Sequence, residues 1–318
     1  MTSAVKHAMK PAMKRPLITA ASAPYWLLAP FLILFAVFGL FPLLFSLWLA
    51  FNHWEPTSGL AAMDWVGWGN FAFALQDEWF WKSLFNTLWL GVASAVPQHL
   101  IAIPLAVALN SMASRRRNVL VGIYFMPYIT STVAIAILFG SLFSTDYGLI
   151  NAALGAIRSL PGLEWLLPAE AIDWLNDPDR LKPAIATVVF WRYVGFNVVL
   201  YLAALQTIPK DLYEAATMDG AGRWQQFRFI TLPGLKAMLL FGVTLSIIGS
   251  MQLFEEPFIL TNGRGGNDQA GMTSAVYLYR LAFDFNDFGA ASAMSWLLFL
   301  LLGMATWATH RAFGKEKS

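Results

Sequence analysis

The stretch WLLAPFLILFAVFGLFPLLFSLWLAF, Trp26 to Phe51, decides what kind of protein this is. It holds no Asp, Glu, Lys or Arg, and the interval free of these residues is wider still, from Pro16 to Trp54. About 20 apolar residues in a helix cross a hydrocarbon core of roughly 30 Å, so the run is long enough to span a bilayer. The rest of the 318-residue chain has the same character, with 58% hydrophobic and 13% charged residues. An ordinary soluble domain carries roughly a quarter charged residues. A water-soluble globule is therefore excluded and a polytopic membrane protein is expected. The absence of cysteine excludes disulfides, thiolate metal sites and cysteine nucleophiles.

Apolar runs almost free of charge recur along the chain, giving six expected spans at about Trp26 to Phe51, Leu84 to Leu109, Val119 to Phe143, Ala184 to Gln206, Leu235 to Phe254 and Ala290 to His310. Lys6, Lys10, Lys14 and Arg15 precede the first, as in a signal peptide. Its apolar run far exceeds the roughly 7 to 15 residues of a signal h-region, and no clear small-residue cleavage site follows, so an uncleaved span is expected. The chain thus divides into a tail over 1–25, a six-span body over 26–310 with a loop at 208–234, and a tail over 311–318.

Lys and Arg separate the connecting segments into two sets. The N-terminus, the 110–118 loop (Arg115, Arg116, Arg117), the 208–236 loop (Lys210, Arg223, Arg228, Lys236) and the C-terminal tail (Arg311, Lys315, Lys317) hold 14 of the 21 basic residues and four acids. The loops near 52–83, 144–183 and 255–289 hold six basic residues and 15 acids, counting Glu255 and Glu256. By the positive-inside rule both termini are expected to be cytoplasmic, in a multi-pass protein of the bacterial inner membrane. Arg192 is the one basic residue left inside a span. Trp48, Trp54, Trp65, Trp68, Trp79, Trp81 and Trp89 crowd the outer ends of the first two spans and read as interfacial anchors. Pro30, Pro42, Pro97, Pro104 and Pro127 fall inside spans, where each removes a helix donor; they read as ordinary membrane-helix irregularity or as gating kinks.

No soluble catalytic constellation is present: there is no GxxxxGK[ST], no HExxH and no GxSxG, and His7, His53, His99 and His310 are scattered. Gly263, Gly265 and Gly266 follow no strand and do not read as a phosphate cradle. No catalytic residue, metal site or nucleic-acid partner is expected, and ATP hydrolysis by this chain alone is not. The informative segment is IPKDLYEAATMDGAG, Ile208 to Gly222. Pro209 and Asp211 are helix-start signals and Gly220 and Gly222 stop signals, which predicts a helix of two to three turns between two spans. A second short helix is expected from Arg223 to Thr231, ending at Leu232-Pro233. The small Ala215-Ala216 face would admit another protein closely; an amphipathic hairpin lying on the inner leaflet is the alternative.

Glu214-Ala215-Ala216, then Gly220 after three residues, Ile230 after nine more, and Leu232-Pro233 resemble the EAA motif of the membrane subunits of binding-protein-dependent ABC importers, with every element filled. Ile208 to Tyr213 and Met218-Asp219-Gly220-Ala221 resemble the carbohydrate branch, the maltose and glycerol-3-phosphate type of permease. Leu260-Thr261-Asn262-Gly263, Tyr279-Arg280 with Ala282-Phe283, and Asp287-Phe288-Gly289 extend the likeness, which covers roughly residues 20–312. Arg264 departs from it, in a stretch usually written with two glycines and a proline. The resemblance implies an all-α integral membrane protein with six transmembrane helices in the type I ABC-importer permease fold. It also implies a second, homologous permease, an ATPase subunit dimer that binds the ATP and Mg, and an extracytoplasmic solute-binding protein, this chain holding no cofactor itself. The 208–234 loop would be the coupling helix, with Glu214, Ala215, Ala216, Asp219, Gly220, Ile230, Leu232 and Pro233 coupling it to the ATPase.

Polar residues inside spans are candidates for a translocation path, because each is costly in lipid and must face a cavity or a partner. Tyr193 and Asn197 in the fourth span, and Ser246 and Ser250 in the fifth, lie four apart on one helical face, and Gln252 follows. Tyr193 is about 22 Å from Ile208 along a helix, in the outer half of the bilayer. A sugar needs hydrogen-bonding groups and an aromatic platform, which these residue types supply; helix–helix hydrogen bonding within the bundle is the alternative for each. Arg192 is expected to pair with Glu255 or Glu256. A secondary transporter of a small polar solute is the competing function, but neither acids at mid-depth nor self-similar halves are seen.

Overall fold

The computed structural model describes residues 23–162, 165, 168 and 170–313. The tails expected over 1–25 and 311–318 lie outside the described residues except for 23–25 and 311–313. The chain divides into two compact units, 1–48 and 49–318.

The described part of the first unit belongs to helix α1 (Pro24–Leu49). Apolar all along, it stacks aromatic rings four apart, Phe31 on Phe35 and Phe41 on Phe45. A π turn at Ala36–Leu40 interrupts it, closed by the Phe41 N–H to the Ala36 carbonyl. Pro42 follows directly. A proline ring collides with the carbonyl four residues back, and widening the turn ahead of it relieves that collision.

The second unit opens with a two-residue antiparallel pairing, β1 (Asn52–His53) with β2 (Asp64–Trp65). Short helix α2 (Gly69–Gln76) leads to α3 (Glu78–Asn110), whose first turn Asp77 caps through the Trp79 N–H. The other Asp77 oxygen accepts from the Tyr277 hydroxyl. Burial, and then that carboxylate, hold the Tyr277 phenol well above its usual range, so it stays a donor. Next come α4 (Ser114–Ile129), α5 (Thr132–Leu142), α6 (Leu149–Arg158) and the long α7 (Pro178–Leu205). Beyond the 208–234 loop lie α8 (Lys236–Met251), α9 (Glu255–Leu260), α10 (Ser274–Phe283) and α11 (Phe288–Phe313).

Five helices are long and apolar enough to cross a membrane, and the bent pair of α4 and α5 makes up to six. The single span expected at Val119 to Phe143 is that pair, bent by 92°. Pro127 lies in the last turn of α4, the Thr130 N–H and Oγ1 both bond the Met126 carbonyl, and Thr130 and Ser131 are extended. Apolar content marks the segment's depth, but Thr130 and Ser131 offer the backbone partners outside the helix and break it. Helices α2, α6 and α10 lie in segments read only as loops.

The packing centre is α7, which lies against α3 and α4, while α8 lies against α3 and α11 and α9 against α5. Near the 208–234 loop, Ile103, Leu109, Val198, Leu202 and Leu235 share one core. At the opposite end Leu90, Phe139, Ile185, Val188 and Leu260 form a second, and Phe80, Met272, Val276 and Met294 a third. Trp48, Trp65, Trp68, Trp79, Trp81 and Trp89 are exposed, as interfacial anchors should be.

Candidate functional site

The 208–234 loop folds as two braced short helices. The first runs from Lys210 to Met218 with Pro209 at its cap position and Asp211 in its first turn, where a carboxylate favours the helix dipole. It ends in a Schellman motif. The Gly220 N–H bonds the Thr217 carbonyl at 3.0 Å and the Ala221 N–H the Ala216 carbonyl at 2.8 Å. Gly220 sits at φ +80° with open space around it, so its requirement within this chain is backbone conformation, and not the close approach its place in the motif suggested.

The second helix is shorter than expected. Gly222 starts it, its N–H on Gln225 Oε1 at 2.7 Å, and α geometry lasts only from Arg223 to Gln226. A π turn at Phe227–Thr231 follows, just ahead of Pro233, repeating the relation of the first π turn to Pro42. Tyr213 Oη and Thr231 Oγ1 meet at 2.9 Å, and Gln226 Nε2 donates to Thr217 Oγ1 at 3.0 Å, so the two helices move as one body. Leu235 is fully buried against the spans, with Ile208 and Phe227 packed beside it. Ile230 and Ala216 are half-buried, while Glu214, Ala215, Asp219, Leu232 and Pro233 are exposed. Met218, Trp224 and Phe229 stand 87%, 69% and 70% exposed on the same loop. Motif reading had passed over these three; large apolar side chains left bare are the signal that could have found them.

A cavity of about 240 Å³ between α3, α4, α7 and α8 brings together Tyr193, Asn197, Ser246 and Ser250. Gln252, the fifth expected path residue, is exposed and does not line it. Gln98 and Tyr128, which the sequence did not single out, do line it. Asn197 is 3% exposed and its Nδ2 donates to Gln98 Oε1 at 3.1 Å, so that amide is occupied in holding α7 to α3. The Ser250 hydroxyl donates to the Ser246 carbonyl at 2.7 Å. Tyr193, half-buried, meets Tyr128 edge to face at 5.8 Å, and among the described residues its hydroxyl has no hydrogen-bond partner. An aromatic wall, a free phenol and flanking amides make a surface able to hold a polyhydroxylated molecule.

Beside the cavity, Arg192 Nη1 pairs with Glu256 Oε1 at 2.8 Å, with 13% and 3% of the side chains exposed. Glu255 is exposed and takes no part. The guanidinium also lies 5.1 Å from the Tyr193 ring centre, and its Nε is buried without a partner. Among the described residues no cluster of His, Asp and Glu could hold a metal ion.

Residues 98–315 match the family model described as binding-protein-dependent transport system inner membrane component. The chain is 35% identical over 294 residues to the lactose transport system permease protein LacF of Rhizobium radiobacter, covering 92% of this chain and 94% of that protein. It is 32% identical over 298 residues to the arabinooligosaccharides transport system permease protein AraP of Bacillus subtilis, covering 93% and 90%. A crystal structure of a bacterial ABC transporter involved in the import of the acidic polysaccharide alginate superposes with a TM-score of 0.77 at 25% identity, covering 93% of this chain and 96% of that one. With the EAA-type loop and six apolar segments in place, this chain belongs to the family of binding-protein-dependent transport system inner membrane components and adopts the type I permease fold of ABC importers.

Proposed function

We propose that the chain is a permease subunit of an ATP-driven importer of carbohydrate, a di- or oligosaccharide or a related glycoside. The observation that carries this reading is the braced 208–234 loop. It has a complete motif, a self-contained hydrogen-bond frame, an anchor in the spans at Leu235 and an exposed apolar face at Met218, Trp224 and Phe229. A body of that kind transmits displacement. On closure of a partner ATPase dimer, which would hold the ATP and Mg, it would shift as a lever and carry α7 and α8, the two helices it joins. Those helices supply Tyr193, Asn197, Ser246 and Ser250 to the cavity, so the lever and the path are mechanically one. The sugar relatives support carbohydrate as the substrate class, and the cavity's aromatic and amide lining suits it.

A second homologous permease would complete the path, and an extracytoplasmic binding protein would deliver the sugar. Both termini are cytoplasmic on this reading; a reporter fused after Ser318 that works only in the periplasm overturns that orientation. The function is tested by deleting the gene and following uptake of labelled lactose, maltose and arabinobiose. Loss of one uptake, restored by the gene, is expected; unchanged uptake of all three, with loss of a non-sugar solute, overturns the carbohydrate reading.

A further inference from the structure

The cavity wall contains a three-membered chain that the path reading does not use. Tyr201 Oη on α7 lies 2.7 Å from His99 Nδ1 on α3, and His99 Nε2 lies 3.0 Å from Ser246 Oγ on α8. Three helices meet there through side-chain atoms alone. Gly242 makes room: a Cβ at that position would stand 2.9 Å from the Tyr201 hydroxyl.

The polarity of this chain follows from elimination. Tyr201 is fully buried, and His99 is the one partner of its hydroxyl among the described residues. Were His99 to carry its proton on Nδ1, the phenol could only accept, and its own O–H would be buried without an acceptor. That arrangement costs more than the alternative, in which the phenol donates to an unprotonated Nδ1. The neutral ring then carries its proton on Nε2 and donates to Ser246 Oγ. With its oxygen accepting from His99, and no other partner among the described residues, the Ser246 hydroxyl keeps its proton for an outside acceptor. Ser246 forms wall both in the 240 Å³ cavity and in an adjoining, mostly apolar one of about 420 Å³ between α3, α8 and α11.

We propose that Tyr201 and His99 are positioning residues that fix Ser246 as a hydrogen-bond donor to a ring or hydroxyl oxygen of the transported saccharide. The inference rests on the carbohydrate-path reading above and adds a direction to it: at Ser246 the site offers a proton and seeks an oxygen lone pair. Selectivity at this point is then for a sugar that has an oxygen there, against one that lacks it.

Two measurements test it. In the reconstituted importer with ¹⁵N-labelled histidine, His99 is expected as the Nε2–H tautomer, shifting in Tyr201→Phe. A His99 found as the Nδ1–H tautomer or as imidazolium overturns the relay without reference to any sugar. The second uses proteoliposomes with saturating loaded binding protein and whichever of lactose, maltose or arabinobiose is imported, beside its monodeoxy analogues. The wild type should discriminate against one analogue by about five- to tenfold, the worth of one hydrogen bond.

Ser246→Ala and Tyr201→Phe should each abolish that discrimination while binding-protein-stimulated ATPase activity persists. The double variant should be no worse than Ser246→Ala, and Ser246→Thr, which keeps the hydroxyl, should restore discrimination. If Ser246→Ala changes discrimination but Tyr201→Phe adds an equal, independent loss, the relay is wrong and the path reading stands. If Ser246→Ala leaves discrimination intact, both the relay and Ser246 as a path residue are wrong. Import of none of the three sugars would strike the carbohydrate reading, leaving the tautomer measurement to judge the relay.

Discussion

The 208–234 loop and the cavity between α3, α7 and α8 differ in how their residues find each other. The loop is local. Its helix starts, stops and braces lie within 25 residues, and its bonds, Ala221 to Ala216, Gly222 to Gln225 and Tyr213 to Thr231, span three to 18 positions. The cavity is built from partners far apart in sequence: Asn197 with Gln98, 99 positions away, Tyr201 with His99 at 102, and Ser246 with His99 at 147. A local device can act as a rigid body whatever the bundle does, whereas a cavity of distant partners changes shape when helices shift. An importer requires both behaviours, one element that pushes and one that yields.

The largest expected effect falls on the rigid element. Glu214→Lys, or Gly220→Leu with about 1–2 kcal/mol of left-handed strain at the helix end, should abolish uptake while insertion and copurification with the ATPase remain. Near wild-type transport by either variant would break the contrast at its strongest point.

The buried ion pair ranks next. Arg192→Ala leaves Glu256 buried without its cation and should cost about 3–5 kcal/mol of stability. Thermal unfolding of the detergent-solubilised complex reads it, and removing both partners should recover a substantial part. A single variant as stable as the parent would mean that the pair is hydrated in the membrane.

The yielding element predicts smaller, graded losses. Alanine at Tyr193 or Ser250 should weaken or redirect uptake by the worth of about one buried hydrogen bond, 1–3 kcal/mol, while binding-protein-stimulated ATPase activity persists. Asn197→Ala should instead lower the melting temperature, because its amide bonds α3 to α7. If alanine at Tyr193, Asn197, Ser246, Ser250 and Gln252 together leaves uptake and sugar preference unchanged, the path runs elsewhere, on the partner permease. The least effect is expected at Gln252→Ala. This residue is exposed and outside the cavity, so stability should change by no more than about 0.5 kcal/mol. A marked transport defect there would place it against another subunit.

What the sequence by itself determined was whatever depends on composition or on neighbours along the chain. Bilayer depth follows from runs of apolar residues, so five spans were legible to within a few residues at most ends, the chief exceptions being the earlier starts of α3 and α7 and the longer fifth segment, which continues through α9. The loop was legible because Pro209, Asp211, Gly220 and Pro233 act through their own backbone torsions and missing or offered hydrogen bonds. The tertiary structure decided the rest. Charge-free content is blind to direction, so the 92° break at Thr130 and Ser131 and the amphipathic helices α2, α6 and α10 escaped it. The choice of Glu256 over Glu255 turned on which of two adjacent carboxylates α9 aims at α7. Gln98, Tyr128 and His99 looked like unremarkable residues of apolar spans until packing set them against Asn197, Tyr193 and Ser246. A polar side chain inside a membrane helix must find a partner, and its partner is named by which helices touch, a property no single stretch of sequence contains.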